Sequence, residues 1–546
     1  MDNKAAIGRF SRWWRNPFAM PTVGAKQERP WLWASGLIAA LIVLPVISVL
    51  YLALFPDENA WPHLIDTVLP GYLENTFILM FGVGSATFFI GTATAWLIAM
   101  YEFPGKRWLS WSLLLPFAVP AYVVAYVYTD LLEYAGPVQS ALRDLFGWQS
   151  ARDYWFPEVR SMGGAIMMMS LALYPYVYML ARAAFLEQST SLYQVARSLG
   201  QTPTGFLLRV SLPIARPAIA VGLALVLMET LNDFGTVDYF AVQTLTAGLY
   251  DTWLNMSNLG GAAQIASLMV AMVVILVSLE RFSRRKQKQY LSRNPGDPIT
   301  PLKLKGWRAV LTTLLVALPV VLGFAIPFIT LGVYAFQYFE VSWSSDFLGY
   351  VINSFGLSML AAVVTLLLGV VLAYSKRLNK SPSARLFIRI SSLGYAVPGA
   401  VLAVGVIVPF AALDNSVDAL AREYLGVSTG LILSGSAFAI LFAYVVRFLA
   451  VAAGSVESSL DKVTLNMDMA SRSLGHSYMS TLLQVHLPII RRGALTAMLV
   501  VFVDCMKELP ATLILRPFNF ETLATQVYQY ASDELLEQSA LSALVI

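Results

Sequence analysis

Apolar stretches long enough to cross a bilayer recur along the whole chain, and they constrain its fold more than any other feature. The first of them runs from Trp31 to Leu54. A helix needs about 20 apolar residues to span a hydrocarbon core roughly 30 Å thick. Of the 546 residues 57% are apolar and only 13% are charged, which is too little charge for the surface of a soluble protein of this size. The sequence therefore predicts an all-α polytopic membrane protein.

The apolar stretches form two sets of six, separated by a basic segment. The predicted spans are 31–54, 73–100, 109–131, 162–184, 215–238 and 259–280, then 309–334, 350–374, 387–410, 428–450, 490–513 and a twelfth from Ser539. Residues 281–308 carry nine Lys or Arg residues against a single acid, which predicts a cytoplasmic segment. The basic N-terminus is predicted to be cytoplasmic too, and the six intervening spans satisfy both assignments.

This pattern predicts four regions. Residues 1–30 form a basic cytoplasmic segment, 31–280 a first repeat, 281–308 a basic cytoplasmic linker and 309–546 a second repeat. Arginines alternate with aromatic residues near the start, so the segment either lies on an anionic membrane face or is a partly ordered tail. No cleavable signal is predicted there, and the lone cysteine, Cys505, excludes a disulfide framework.

The two sets of spans share residues in constant register. Pairs 278 positions apart are Asn75 and Asn353, Gly91 and Gly369, Ala95 and Ala373, and residues 118–120 and 396–398. Later pairs lie 275 apart, namely residues 197–200 and 472–475, and 212–214 and 487–489. Because both halves start on the same side, the repeat is parallel, with a pathway expected between the halves. The second repeat stops about half-way along its sixth span, so we expect a truncated last span.

Two loops, 185–216 and 452–490, carry the clearest motif, once in each half. The first reads Gln194-Val195-Ala196-Arg197-Ser198-Leu199-Gly200 and continues to Leu212-Pro213. The second reads Met469-Ala470-Ser471-Arg472-Ser473-Leu474-Gly475 and continues to Leu487-Pro488. An amphipathic helix, a Gly at a turn and a second helix ended by Pro would make a rigid knob that fits a groove in a soluble partner.

These loops resemble the coupling motif of binding-protein-dependent ABC importers, which reads Glu-Ala-Ala, three residues, Gly, and a hydrophobic stretch ending in Leu-Pro. Gln194 and Met469 depart from it at the acidic position. The resemblance implies a permease of the MetI-like fold, with two copies of a cytoplasmic ATP-binding subunit that carry ATP and Mg. No Gly-rich loop here ends in Gly-Lys-Ser or Gly-Lys-Thr, so this chain is predicted to bind no cofactor and to be no enzyme.

Two further stretches resemble ferric iron permeases in particular. They are residues 229–236, and residues 507–513 with the following 516–518 and 522–525. The resemblance implies a bacterial inner membrane protein that spans the membrane many times and receives iron from a periplasmic ferric-iron-binding protein. Nucleic acid is not an expected partner. Permeases for thiamine, sulfate or polyamine share the architecture and remain alternatives. An ion-coupled secondary carrier is an alternative of another class, although it has no use for paired coupling loops.

Four acids deep in the fifth spans are the candidate substrate path. Glu229 and Asp233 lie four residues apart, as do Asp504 and Glu508, and the two pairs are 275 positions apart. Spacing by four places each pair on one helix face. Intramembrane carboxylates are costly and mark ion paths, and hard oxygen ligands suit transient contact with Fe³⁺. Alternatively, Lys507 neutralises Asp504 or Glu508, and the other two acids bond to nearby backbone.

Other side chains are weaker candidates. His476 and His486 lie in the second coupling loop, where surface positions are expected. Three alternating tyrosines, Tyr174, Tyr176 and Tyr178, could offer phenolic oxygen or simply mark a membrane interface. Pro120 and Pro398 are expected to kink the third span of each half.

Overall fold

The computed structural model describes residues 25–56, 58–285, 301–379 and 381–546, and these are almost entirely helical. The predictions for residues 1–24 and for the middle of the basic linker lie outside these ranges. Nine of the described helices are long and apolar enough to cross a membrane. A tenth span results if Lys106–Ala118 and Ala121–Phe146, which meet at 92°, are counted as one. The predicted all-α polytopic class is confirmed.

The first half contains thirteen described α-helices, and its 3₁₀ and π segments lie between them. The α-helices are α1 (Ala25–Leu54), α2 (Trp61–Asp66), α3 (Leu69–Met100), α4 (Lys106–Ser112), α5 (Ala121–Leu132), α6 (Pro137–Phe146), α7 (Met162–Leu186), α8 (Thr190–Ser198), α9 (Pro203–Phe206), α10 (Leu212–Asn232), α11 (Gly235–Tyr239), α12 (Leu245–Tyr250) and α13 (Leu259–Arg285). A 3₁₀ turn covers Leu115–Ala118, and π segments cover Leu207–Ser211 and Asp251–Asn255.

The second half has a similar order, except that a π segment divides its first span and one long helix, Gly399–Leu425, stands in place of α5 and α6. Its α-helices are α14 (Trp307–Val320), α15 (Ile326–Gln337), α16 (Phe339–Ser342), α17 (Ser345–Leu378), α18 (Pro382–Ser391), α19 (Gly399–Leu425), α20 (Ala437–Leu460), α21 (Leu465–Ser473), α22 (Tyr478–Thr481), α23 (Leu487–Met506), α24 (Pro510–Leu515), α25 (Leu523–Ser532) and α26 (Leu536–Val545). A 3₁₀ turn covers Gly394–Ala396, and π segments cover Val321–Ala325 and Leu482–His486. Two short parallel strands, β1 (Tyr101–Glu102) and β2 (Leu302–Lys303), tie the end of the linker to the first half.

Equivalent hydrogen bonds occur within each of the two halves. The Asn75 side chain donates to the carbonyl of Gln243 at 2.9 Å, and 278 positions later Asn353 donates to Glu521 at the same distance. Equivalent serines begin the fourth spans, where Ser161 accepts from Gly164 N at 3.2 Å and Ser436 caps α20. Such N-caps satisfy donors that have no partner within the helix.

Glycines let the second and fourth spans of each half touch. A Cβ on Gly91 of α3 would lie 2.7 Å from Val177 Cβ, and one on Gly369 of α17 would lie 3.0 Å from the Ala453 nitrogen. Small residues permit close approach of membrane helices, which are packed mainly by van der Waals contact. The repeated glycines found in the sequence are therefore helix contact points.

The first span of each half packs against the other half. Helix α1 contacts α17, α18 and α19, whereas α14 and α15 contact α3, α4 and α5. One polar contact between the halves is a 2.6 Å hydrogen bond from the Tyr128 hydroxyl to the Leu322 carbonyl. The two halves therefore hold each other through a reciprocal pair of helices.

The third spans differ from the prediction. Pro120 and Pro398 do not kink a continuous helix but immediately precede α5 and α19, each after a 3₁₀ turn. A proline lacks an N–H, and it drives the preceding residue into an extended conformation, so it suits the start of a helix. The predicted span 387–410 is consequently divided between amphipathic α18 and the long α19. The next span lies at Ala437–Leu460 and not at 428–450.

Candidate functional site

The fifth span of each half breaks beside its two acids. Glu229 lies in the last turn of α10 and Asp233 directly follows that helix. In the second half Asp504 lies in the last turn of α23, and Glu508 follows two residues after the end of the helix. The predicted spans 215–238 and 490–513 are thus each a long helix and a short one, and the acids of a pair do not share one helix face.

The second acid of each pair binds the start of the short helix that follows. Asp233 Oδ1 accepts hydrogen bonds from Thr236 N at 2.9 Å and from Val237 N at 3.3 Å. Glu508 Oε1 accepts from Ala511 N at 3.2 Å. Free N–H groups at a helix start favour negative charge. The break thus stabilises both carboxylates in an otherwise apolar region.

All four acids line a single cleft between the halves. Aromatic side chains, including Phe117, Tyr122 and Tyr176, form part of its wall. The four carboxylates, which come from equivalent positions, therefore face a shared space and not lipid. Among the described residues, no group of three or more His, Cys, Asp or Glu side chains is close enough to hold a metal ion.

A buried arginine that the sequence interpretation missed crosses this cleft. Arg447 projects from α20 and is 4% exposed. Its Nη1 donates to Glu508 Oε1 at 3.1 Å, and its Nη2 lies 3.6 Å from Glu229 Oε2. Nη1 also donates to Asn232 Oδ1 at 3.0 Å, and that oxygen accepts from Gly399 N. One guanidinium thus connects the acids of both halves.

A second cation pairs with the remaining helical acid. Lys507 Nζ lies 3.0 Å from Asp504 Oδ1 and 4.0 Å from the centre of the Phe117 ring. The alternative raised from the sequence, a Lys507 ion pair, is therefore present in the structure. Asp233 bonds to backbone as that alternative also proposed, whereas Glu229 pairs with Arg447 and not with backbone. Four carboxylates and two cations line the cleft, so its formal charge is negative.

The two predicted coupling loops have the same structure. Helices α8 and α9 of the first correspond to α21 and α22 of the second at a constant separation of 275 residues. Gly200 at φ +79° and Gly475 at φ +87° make the turn between the two helices of each loop. The amide nitrogens of Gly200 and Gln201 donate back to Arg197 and Ala196, both at 3.0 Å, which closes α8 with a Schellman motif.

Most motif side chains point outward from these loops. Gln194, Arg197, Met469, Ala470 and Arg472 are exposed, whereas Ala196 is buried against the protein. Leu199 and Leu474, which precede the glycines, are 74% and 78% exposed. Each loop therefore presents apolar surface at its tip.

The prolines of the motif do not end a helix, contrary to the prediction. Leu212-Pro213 and Leu487-Pro488 begin α10 and α23, and each pair follows a π segment that joins it to α9 or α22. In each π segment an amide bonds five residues back, as Leu212 N does to Leu207 O. This wider turn admits the proline, which has no N–H to donate. The knob is thus continuous with the fifth span.

Comparison with known proteins identifies this arrangement. Residues 87–288, which include the first coupling loop, match the family described as binding-protein-dependent transport system inner membrane component. Over this segment the chain belongs to the ABC importer permeases. It is the non-catalytic membrane component of such a transporter, and its family implies ATP-binding subunits and a substrate-binding protein as partners.

Relatives of the permease differ in how much of it they match. It is 26% identical to the Fe(3+)-transport system permease protein FbpB 2 of Haemophilus influenzae, over 95% of this chain and 96% of the relative. It is 24% identical to the ferric transport system permease protein FbpB of Actinobacillus pleuropneumoniae, over 88% and 70%. The molybdenum transport system permease protein ModB of Escherichia coli is 28% identical over 42% of this chain and 97% of its own length.

The second coupling loop of the permease is anchored by charge, and this corrects the prediction for His486. That side chain is buried, with Nε2 2.6 Å from Asp468 Oδ1, and Asp468 also accepts from Arg377 Nε at 2.9 Å. In the first half the equivalent position is Ser211, which donates to Gln188 at 2.6 Å. The two loops have the same backbone and different attachments.

The remaining candidates of the permease have varied surroundings. His476 is exposed, as expected, and bonds to Ser480 at 2.9 Å. Tyr176 lines the cleft, whereas the Tyr178 hydroxyl donates to the Ser110 carbonyl at 2.9 Å. Tyr174 is buried, and its hydroxyl has no hydrogen-bond partner among the described residues. Only Tyr176 of the three tyrosines therefore shares the cleft with the acids.

Proposed function

We propose that the permease imports ferric iron, delivered by a periplasmic binding protein, across the bacterial inner membrane. The observation that carries this proposal is the extent of the match to the Fe(3+)-transport permease, which covers 95% of this chain and 96% of the relative. The molybdenum permease matches only 42% of this chain. A resemblance over both halves includes the cleft between them, where the substrate would pass.

The chemistry of the cleft supports a cationic substrate. Four carboxylates outnumber Arg447 and Lys507, and both cations are already paired with carboxylates. Carboxylate oxygens are hard ligands that suit hard cations. Glu229, Asp233, Asp504 and Glu508 would contact the ion transiently and in succession, since they are not gathered around one point.

The coupling loops support an ATP-driven mechanism. Two copies of a cytoplasmic ATP-binding subunit, which carry ATP and Mg, would each hold one loop and move it. Each loop is continuous with a fifth span that ends at the acids, so a displacement of the loop would reach the cleft along one helix. The loop end would then be cytoplasmic, the same side as the N-terminus.

Other substrates and another mechanism are less well supported. A probable sulfate permease of Chlorokybus atmophyticus is 28% identical, but over only 38% of this chain, and no free cation in the described cleft is available for an oxyanion. Thiamine or polyamine permeases would share the fold without an evident reason for trivalent-ion ligands. A secondary carrier would use the acids but not the paired coupling loops.

Uptake into proteoliposomes tests the proposal. The permease and its ATP-binding subunits are reconstituted with and without the binding protein, and labelled ferric iron, sulfate and molybdate are supplied separately. We expect iron uptake that requires both ATP and the binding protein. Uptake of sulfate or molybdate but not of iron would contradict ferric iron as the substrate. Iron uptake driven by a proton gradient without ATP would contradict the ATP-driven mechanism.

A further inference from the structure

Arg447 occupies an unusual position for a charged side chain. It is the only charged residue between Ala437 and Val456 of α20, and it is 4% exposed. A charge buried in a membrane span is costly unless it is paired, and such residues are rare outside functional sites. The packing around it is tight, because a Cβ on Gly399 would lie 2.7 Å from Arg447 Nη1.

The pairing of Arg447 breaks the symmetry of the repeat. Its equivalent in the first half, 275 positions earlier, is Ala172, which lines the same cleft. The acids occur twice and this arginine once. Its guanidinium lies between Glu229 of the first half and Glu508 of the second, where a cation bound by both carboxylates would have to lie.

We propose that Arg447 is a resident cation, which occupies the path carboxylates in the absence of substrate and is displaced by the entering metal ion. This inference rests on the proposed function, because it assumes that the carboxylates meet a cation. Until the ion arrives, the guanidinium pairs with two acids and ties the halves together through Glu229, Glu508 and Asn232. The substrate must therefore compete with a tethered charge.

This competition sets the affinity and the specificity of the cleft. A monovalent or weakly bound ion cannot replace a guanidinium that is hydrogen-bonded to Glu508 and Asn232 and ion-paired with Glu229. A trivalent ion has the charge to do so. Arg447 thus acts as a specificity-determining residue through its own release, and not as a ligand.

Terbium binding to the detergent-solubilised full chain tests this role. Tb³⁺ is a hard trivalent ion, and its emission is sensitised by nearby tyrosines such as Tyr122 and Tyr176 of the cleft wall. We expect Arg447→Gln to bind Tb³⁺ about tenfold more tightly than wild type, because a competing unit charge is removed. Glu229→Gln with Glu508→Gln should abolish that gain. Arg516→Gln is the matched control, because Arg516 pairs with Glu521 outside the cleft and should leave the affinity unchanged.

The possible results separate this inference from the proposed function. Equal Tb³⁺ affinity in wild type and Arg447→Gln, with weakening by the double amide variant, contradicts the role of Arg447 and leaves the cation path standing. Binding that no acid variant changes contradicts both. If Arg447→Gln does not insert, Arg447→Lys is used. Its ammonium cannot bridge both carboxylates, so a smaller gain in the same direction is expected and an unchanged or weaker affinity contradicts the role.

Discussion

At the scale of single residues, each of the four acids in the cleft already has a partner within the protein. Asp233 bonds to Thr236 and Val237, Asp504 pairs with Lys507, and the other two share Arg447. An unpaired carboxylate in a low-dielectric site costs several kcal/mol, so each needs a partner when no substrate is bound. A carboxylate that exchanges such a partner for an ion keeps a partner throughout.

The ion pair of Lys507 and Asp504 should be a structural support. We expect Lys507→Met to lower the free energy of unfolding by about 1–2 kcal/mol, since the pair is mostly buried but reachable by solvent. Adding Asp504→Asn should recover most of that loss, because no carboxylate is then left unpaired. Thermal unfolding of both variants in detergent measures this. A double variant less stable than Lys507→Met would contradict the pairing.

At the scale of elements, each coupling loop depends on one left-handed residue. A side chain at Gly200 or Gly475 meets nothing within 4 Å, so a substitution acts through backbone strain, about 1–2 kcal/mol for an L-residue. We expect Gly200→Ala and Gly475→Ala to weaken coupling through this strain. Bulky residues would in addition project from the exposed turn into the proposed ATP-binding subunit, and we expect them to uncouple transport with insertion intact. Transport and stimulated ATPase rates are measured together.

Gly454→Ala is the control for these variants. Gly454 lies in α20 without positive φ, and a Cβ there also meets nothing within 4 Å. Alanine is favoured over glycine within a helix, so this change should leave coupling normal. Normal iron uptake and normal stimulated ATPase in bulky variants at both turn glycines would remove the basis for assigning the loops to the ATP-binding subunits.

The helix contact at Gly91 should tolerate substitution less than its repeat at Gly369. A Cβ at Gly91 comes 2.7 Å from Val177 Cβ, whereas the tightest contact at Gly369 is 3.0 Å. Overpacking costs about 1–3 kcal/mol, so we expect Gly91→Ala to lower the unfolding temperature more than Gly369→Ala. Gly356→Ala, on the same helix as Gly369, meets nothing within 4 Å and should not lower the unfolding temperature. If Gly369→Ala lowered the unfolding temperature more than Gly91→Ala, these close contacts would not determine how the helices pack.

At the scale of the whole molecule, local patterns were predictable from the sequence and long-range ones were not. Apolar run length predicted most of the helices, because it is a signal within a short window. The repeat predicted the paired loops, because its constant offset of 275 residues is visible in the sequence without any structure. The breaks after α10 and α23 were missed because the acids beside them, four residues apart, were interpreted as lying on one face of a continuous helix. The first span of each half packs against the other half, and this depends on tertiary contacts that no local pattern encodes.

Arg447 shows a second limit of sequence interpretation. A search for residues repeated between the halves selects the four acids and passes over an arginine whose equivalent is Ala172. A signal was nevertheless present, because a single charge within twenty residues of an otherwise apolar helix marks a partner nearby. The acids were identified because they recur in both halves. Their counter-ion could have been identified because it is the single charged residue in an apolar stretch of helix.

The central claim is that the paired acids of the cleft carry the ion, and ATP-dependent uptake of labelled ferric iron by amide variants tests it most directly. We expect Asp233→Asn and Glu508→Gln to lower the uptake rate by tenfold or more, about 1.4 kcal/mol or greater at the barrier, with normal assembly. Lys507→Met should lower it less, because Lys507 only supports Asp504. Amide variants that transport iron at the wild-type rate would contradict the claim.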